Sequence, residues 1–252
     1  MLMSYLALPL IVLHTVLVHA WVLLGTALIG SLAIAVSFIS RNGNAVHNVA
    51  QIWGRTILWV SGIRVHLSGI EHCRQQRSCI FMCNHQSNYD IPVLLGKLPV
   101  QFRWLAKAEL FKIPLFGRSM RGAGYISIDR FDRSSAFKSL DRAAKTIQQG
   151  TSVMIFPEGT RSTDGKLRPF KKGGFVLAVD AGVPIVPVII RGTYAIMPKG
   201  RLLVRRQPVS VHVQPPIPTS AYTRETKEAL MSLVRRSMTS ELPQEMREDG
   251  SA

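Results

Sequence analysis

The first forty residues contain no Lys, Arg, Asp or Glu, and the first charged side chain is Arg41. This uncharged stretch is about twice the ~20 residues that a helix needs to cross the hydrocarbon core of a bilayer. A cleaved signal peptide has a basic start and a shorter apolar region, and residues 1–40 have neither feature. We therefore expect residues 1–40 to be a retained membrane anchor, which rules out an ordinary soluble domain over the whole chain.

The path of this anchor is open. Gly25 and Gly30 lie near its middle and could permit a sharp bend. The anchor is then either one long tilted helix or a two-helix hairpin that re-enters the same leaflet. Only basic residues follow before the first acid, Glu71, and by the positive-inside tendency that side of the membrane is cytoplasmic.

Residues 41–62 form a connector with apolar residues at helical spacing. Such a stripe suits an interfacial helix on the bilayer, and ordinary core packing explains it equally well. The stripe consists of Val46, Val49, Ile52, Trp53 and Ile57, with Trp59 close by.

The formal net charge is +16, from 31 Lys and Arg against 15 Asp and Glu. Such a surface attracts nucleic acid, anionic lipid headgroups or phosphorylated small molecules. The hydrophobic fraction of 47% excludes a disordered chain, and the charged fraction of 18% is too low for a coiled coil. The three cysteines lack the spacing of a zinc site or a disulfide framework.

After residue 62, short apolar runs alternate with amphipathic stretches, as in an α/β fold. We predict a central mixed, largely parallel sheet flanked by helices over residues 63–240, and a polar, disordered tail over residues 241–252. The predicted strands are 63–67, 79–83, 102–106, 124–128, 152–156, 184–190 and 209–213.

The first polar motif, Asn-His-Gln-Ser-Asn-Tyr-Asp at residues 84–90, follows an apolar strand and precedes an apolar run. A hydrogen bond from His85 Nδ1 to the Asp90 carboxylate would leave Nε2 free as a general base. The alternative is a loop histidine beside a helix-capping aspartate. Cys83, at the end of the strand, is more easily explained as a buried apolar residue than as a nucleophile.

The second motif, Phe-Pro-Glu-Gly-Thr-Arg-Ser at residues 156–162, also follows a buried strand. Backbone N–H groups of its tight turn and the planar guanidinium of Arg161 can converge on a phosphate. Nearby Lys166 and Arg168 are better explained as a solvated basic loop. In the third segment, residues 102–130, Arg130 emerges at a strand end, and strand ends are where ligands gather in open α/β sheets.

These blocks, with the run Val-Pro-Ile-Val-Pro-Val-Ile-Ile that ends at Ile190, resemble the glycerolipid acyltransferases typified by lysophosphatidic acid acyltransferase. All four blocks match in the family's order over roughly residues 50–215. The resemblance implies that His85 is the catalytic base and Asp90 its partner. It implies substrate-binding roles for Asn84, Ser87, Lys107, Gly124, Arg130, Glu158, Gly159, Thr160 and Arg161.

The resemblance further implies transfer of an acyl group, from acyl-CoA or acyl carrier protein, to the 2-hydroxyl of lysophosphatidic acid. It implies no metal or other cofactor and no nucleic-acid partner, while anionic membrane lipids remain partners. The uncharged start resembles the anchor of bacterial members, which predicts a bacterial inner membrane location with the domain on the cytoplasmic face.

Three alternatives remain at this point. An acyltransferase for another lysolipid or amino-lipid acceptor would share His85 and depend differently on Arg161. A non-catalytic, basic, membrane-tethered protein that binds lipid or nucleic acid would explain the charge but not the two motifs after strands. A hydrolase would need a nucleophile, and the sequence has no Gly-x-Ser-x-Gly elbow.

Overall fold

The computed structural model describes residues 2–73, 77–129 and 133–247, and the side chains of residues 2–7 and 133–137 are not described. The anchor region is one continuous helix, α1, over Leu2–Ser37. Gly25 and Gly30 lie inside this helix, so the chain does not form a hairpin at these glycines. Residues 8–37 are long and apolar enough to cross a membrane.

The seven strands of the sheet match the predicted strands closely. They are β1 Val65–Ser68, β2 Ile80–Cys83, β3 Phe102–Lys107, β4 Ile126–Ile128, β5 Ser152–Ile155, β6 Ile185–Arg191 and β7 Val209–Val213. Their order across the sheet is β1-β7-β6-β2-β5-β3-β4. Strands β6, β2, β5, β3 and β4 pair in parallel, whereas β7 is antiparallel to β6 and carries β1 parallel to itself. The sheet is therefore mixed and largely parallel, as predicted.

Helices cover both faces of the sheet. Those after α1 are α2 Asn44–Val60, α3 Asp90–Lys97, α4 Phe116–Gly122, α5 Arg133–Gln148, α6 Gly173–Ala181, α7 Thr193–Ile196 and α8 Lys227–Glu241. Phe81 and Cys83 of β2 face a core shared with α2 and α3, and Ile80 and Met82 face a core shared with α5, α6 and α8. This alternation is the two-residue period of a strand that is buried on both faces.

Helix α2 occupies the predicted connector and packs between α1 and α3. Val46, Val49 and Ile57 of its apolar stripe are buried, so core packing explains them. Ile52 and Trp59 are exposed, by 49% and 82%.

The prediction of a disordered tail is wrong for residues 242–247. Leu242 is buried and packs with α8, and Gln244–Met246 form a 3₁₀ turn. The backbone N–H of Leu167 donates to the carbonyl of Met246 at 2.8 Å. Apolar residues of the tail therefore complete the core, although its overall composition is polar.

Candidate active site

His85 and Asp90 lie at the carboxyl end of β2, where the strand turns into α3. His85 Nδ1 is 2.7 Å from Asp90 Oδ2, which is the hydrogen bond that the motif predicts. The same oxygen accepts the backbone N–H groups of Gln86 at 2.7 Å and Ser87 at 2.9 Å. A carboxylate with these donors acts as acceptor, so Nδ1 carries the proton and Nε2 has the free lone pair.

An aromatic stack fixes the plane of the His85 ring. Phe156 lies parallel to the imidazole, with ring centroids 3.8 Å apart and an interplanar angle of 9°. Trp104 in turn stacks on Phe156, with ring centroids 5.3 Å apart. The stack restrains the ring of His85, which lines the cavity described below. Sequence reasoning did not assign this role to Phe156 or Trp104.

Glu158, a predicted substrate-binding residue, is buried beside the turn that carries His85. It is 2% exposed and does not line the cavity. Its Oε1 accepts the backbone N–H of His85 at 2.6 Å, and Oε2 accepts that of Arg168 at 2.9 Å. Burial raises the pKa of Glu158 to about 8. The hydrogen bonds from the two backbone N–H groups lower the pKa, but burial has the larger effect. These two bonds hold the loop at Arg168 against the turn that carries His85, and a substrate-binding role for Glu158 stays a prediction.

Asn84 and Ser87, which the resemblance places in substrate binding, are also buried and bonded to backbone. The Asn84 amide exchanges two hydrogen bonds with the backbone of Ile190 on β6, at 2.8 and 2.9 Å. Ser87 Oγ donates to the carbonyl of Met197 at 2.7 Å. These contacts position the turn that carries His85, and neither side chain lines the cavity.

A cavity of about 460 Å³ opens beside His85. Its apolar wall comes from the membrane-associated part of the chain as well as from the α/β domain. Residues of α1, α2, β3 and α4 on this wall include Ile29, Ala33, Ala50, Trp53, Leu105, Phe116 and Met120. Trp53 Nε1 donates to Thr26 Oγ1 at 3.0 Å and joins α2 to α1 across this wall.

The polar end of the cavity is basic. Lys107, Arg161 and Lys199 line it together with Gly159 and Thr160, and no acidic side chain is among the described lining residues. Lys199 Nζ is 3.3 Å from Thr160 Oγ1 and 3.4 Å from the carbonyl of Arg161. Sequence reasoning missed Lys199, because it follows a short helix rather than a strand and lies outside the matched blocks.

Gly124 and Arg130 are two further predicted site residues. Gly124 has a φ of 73°, and a side chain there would approach Arg103, so the turn before β4 requires a glycine. Gly124 does not line the cavity. Arg130 lies outside the described residues. Within residues 2–73, 77–129 and 133–247, no cluster of three or more His, Cys, Asp or Glu is arranged to hold a metal ion.

Comparison with known proteins gives a consistent result. A family model described as acyltransferase matches residues 64–191. The chain is 34% identical over 201 residues to a 1-acyl-sn-glycerol-3-phosphate acyltransferase from Limnanthes douglasii, covering 79% of this chain and 71% of the relative. It is 33% identical over 208 residues to the human alpha form, covering 81% and 74%. The structure of the 1-acyl-sn-glycerophosphate (LPA) acyltransferase from Thermotoga maritima is similar with a TM-score of 0.76 at 28% identity, covering 91% of this chain and 95% of that one.

Proposed function

Because this chain belongs to the acyltransferase family, we propose that it acylates the 2-hydroxyl of lysophosphatidic acid and releases phosphatidic acid. Lysophosphatidic acid and an acyl donor are the substrates of this enzyme, and the donor is a thioester of coenzyme A or of acyl carrier protein. The observation that carries the proposal is the hydrogen-bonded pair His85 and Asp90 at one end of a cavity that is basic near His85 and apolar beyond it.

In the proposed step, His85 Nε2 takes the proton of the 2-hydroxyl as that oxygen attacks the thioester carbonyl. The tetrahedral intermediate then expels the thiolate, which receives the proton from the imidazolium and leaves as a thiol. Asp90 holds the ring in the required tautomer and stabilises its positive charge. The thioester is already activated, so the step needs no further cofactor.

The acceptor phosphate binds among Lys107, Arg161 and Lys199 in this proposal. The planar fork of Arg161 can bind two phosphate oxygens, and each lysine adds a point charge. Arg130, which the family resemblance places in the same role, stays a prediction. The apolar wall formed by α1, α2 and α4 takes an acyl chain in this proposal, since its lining is apolar.

The chain is membrane-associated, through the apolar helix α1. We further propose that the α/β domain lies on the cytoplasmic face of a bacterial inner membrane. The basic residues that follow α1 support this orientation.

The proposal is tested by giving the purified full-length enzyme one acyl thioester and a panel of lysolipids, and by identifying the product by mass. We expect phosphatidic acid from lysophosphatidic acid, and a turnover lower by about 10²–10⁴ in His85→Ala, the range for a lost general base. A faster reaction with an amino-lipid or another lysolipid would show that this other lipid is the acceptor. Near-normal turnover of His85→Ala would overturn the mechanism.

A further inference from the structure

We propose that residues 199–206, between α7 and β7, form a second membrane-contact element beside α1, here called the lipid-contact segment. Its leucines insert among the lipids and its arginines bind anionic headgroups. This inference concerns where the enzyme touches the bilayer and does not depend on which acceptor is acylated.

The lipid-contact segment combines exposed apolar side chains with unopposed positive charge. Leu202 is 75% exposed and Leu203 is 36% exposed. The side chains of Arg201, Arg205 and Arg206 are exposed on either side of them. The sequence has no acid between Asp180 and Glu225. Leucines flanked by arginines suit the bilayer interface, because the apolar groups enter the acyl boundary while the guanidinium groups stay at the headgroups.

The lipid-contact segment is hydrogen-bonded to α1 and lies directly beside it. The backbone N–H of Val204 donates to Thr15 Oγ1 at 3.0 Å, and Arg206 Nε lies 3.5 Å from His14 Nε2. The neighbouring turns of α1 expose Leu10, Leu13, Val16 and Leu17. In this proposal these apolar side chains face lipid, and the segment bonded to α1 meets the same membrane surface.

The end of α2 adds a third contribution to this face. Trp59 is 82% exposed and lies three residues before Gly62, against which the side chain of Arg206 packs. Tryptophan is enriched at membrane interfaces, where its ring is partly apolar and its N–H stays hydrated. Three separate parts of the chain thus place exposed apolar or basic side chains near one another.

The position of the segment brings the membrane close to the cavity. Lys199 lines the basic end of the cavity, and Leu202 follows it by three residues. Three residues span at most about 11 Å of extended chain. A lysolipid can therefore present its headgroup to the cavity while its acyl chain remains near the bilayer.

The insertion is tested with the full-length enzyme in vesicles of phosphatidylcholine and phosphatidylglycerol. A polarity-sensitive fluorophore is attached to Leu202→Cys, since all three native cysteines are buried. We expect its emission to shift to the blue and to be quenched by brominated lipid. Ser240→Cys, exposed on α8 at the opposite face of the sheet, is the control and should report water. A label at Leu202 that reports water on vesicle-bound enzyme would overturn the proposal.

The role of charge is tested in the same labelled protein. The label reports how strongly the enzyme prefers vesicles that contain phosphatidylglycerol over vesicles of pure phosphatidylcholine. The double variant Arg201→Gln and Arg205→Gln should reduce this preference by roughly tenfold. The matched control, Lys145→Gln and Arg236→Gln, removes two exposed charges from α5 and α8 and should leave this preference unchanged. An equal loss in both variants would show that the total charge of the enzyme causes the preference. It would contradict a specific role of the lipid-contact segment.

Discussion

At the residue scale, side chains that face the cavity can be separated from those that hold its loops. His85, Lys107 and Arg161 line the cavity, whereas Asn84 and Glu158 are buried and bonded to backbone. Asn84 and His85 are neighbours in one motif, and Glu158 and Arg161 stand three positions apart in the other. Motif spacing predicts the His85–Asp90 bond because both partners are local, but the partners of Asn84 and Glu158 lie on other strands and loops that spacing does not reveal.

Arg161 gives the first prediction. Replacing it with alanine removes the proposed charge-assisted hydrogen bond to the acceptor phosphate, worth about 1.5–3 kcal/mol, so kcat/KM for lysophosphatidic acid should fall about 10- to 150-fold. Arg161→Lys keeps the charge but loses the planar fork, so kcat/KM should fall less in this variant. Steady-state kinetics with lysophosphatidic acid and with monoacylglycerol measure the effect.

The uncharged acceptor is the control for this prediction, because it has no phosphate that could miss its partner. We expect a much smaller loss with monoacylglycerol, and little change with either acceptor in Lys166→Ala, whose side chain does not line the cavity. Equal losses with both acceptors in Arg161→Ala would contradict phosphate binding. They would indicate that Arg161 shapes its loop or contacts the acyl donor.

Glu158 gives a pH-dependent prediction. Its pKa is about 8 in the folded protein, against an ordinary value of 4.5. Between these values the folded state binds more protons than the unfolded chain, so stability falls as pH rises, by at most about 1.4 kcal/mol per pH unit from this group. Glu158→Gln cannot ionise, so its stability should decline less steeply between pH 5 and pH 8. Thermal unfolding at several pH values tests this, and identical slopes for both proteins would contradict the raised pKa.

At the scale of elements, the strands were predictable and the packing of the helices was not. Apolar runs such as Ser152–Phe156 indicate strands buried on both faces, and β5 occupies all but the last residue of this run. The stripe on α2 did not show whether lipid, a neighbouring helix or the sheet would cover it. Contacts with α1 and α3 decide that question, and they depend on tertiary structure.

The crossing of α2 and α3 gives the element-scale prediction. A Cβ at Gly54 would lie 2.9 Å from the carbonyl oxygen of Pro92 and 3.0 Å from the backbone nitrogen of Gly96. Gly54→Ala should therefore force the helices apart and lower stability by about 1–3 kcal/mol. Thermal unfolding in detergent measures the change.

Gly30→Ala is the matched control for this crossing. A Cβ at Gly30 meets nothing within 4 Å, and Gly30 lies inside α1. Because glycine weakens a helix interior relative to alanine, this change should stabilise the enzyme by about 0.5–1 kcal/mol. A Gly54→Ala enzyme as stable as wild type would show that α2 and α3 can separate at no cost.

At the scale of the whole molecule, the anchor and the α/β domain build one cavity together. Residues 1–40 and the catalytic motifs were each recognisable in the sequence, since the first lacks charge and the second stand at strand ends. The contact between these two parts was not recognisable in the sequence. No pattern within either part indicates that Ala33 of α1 and His85 line the same cavity.

This shared cavity predicts a change in acyl-chain preference. Ala33 is 5% exposed and lines the cavity, so Ala33→Leu adds volume to its wall. We expect the ratio of kcat/KM for long-chain over short-chain donors to fall by about tenfold, the cost of modest overpacking. Ala35→Leu changes an exposed position on the same helix and should keep the wild-type ratio. A similar ratio in all three enzymes would contradict acyl-chain binding along α1.

Because α1 is both the anchor and a wall of the cavity, the enzyme meets its acceptor in two dimensions. The relevant concentration of lysophosphatidic acid is its mole fraction in the bilayer. Diluting the vesicles in buffer leaves that fraction unchanged, whereas adding inert lipid to each vesicle lowers it. The saturation constant of this enzyme for its acceptor is therefore a property of a surface and has no fixed value in molar units.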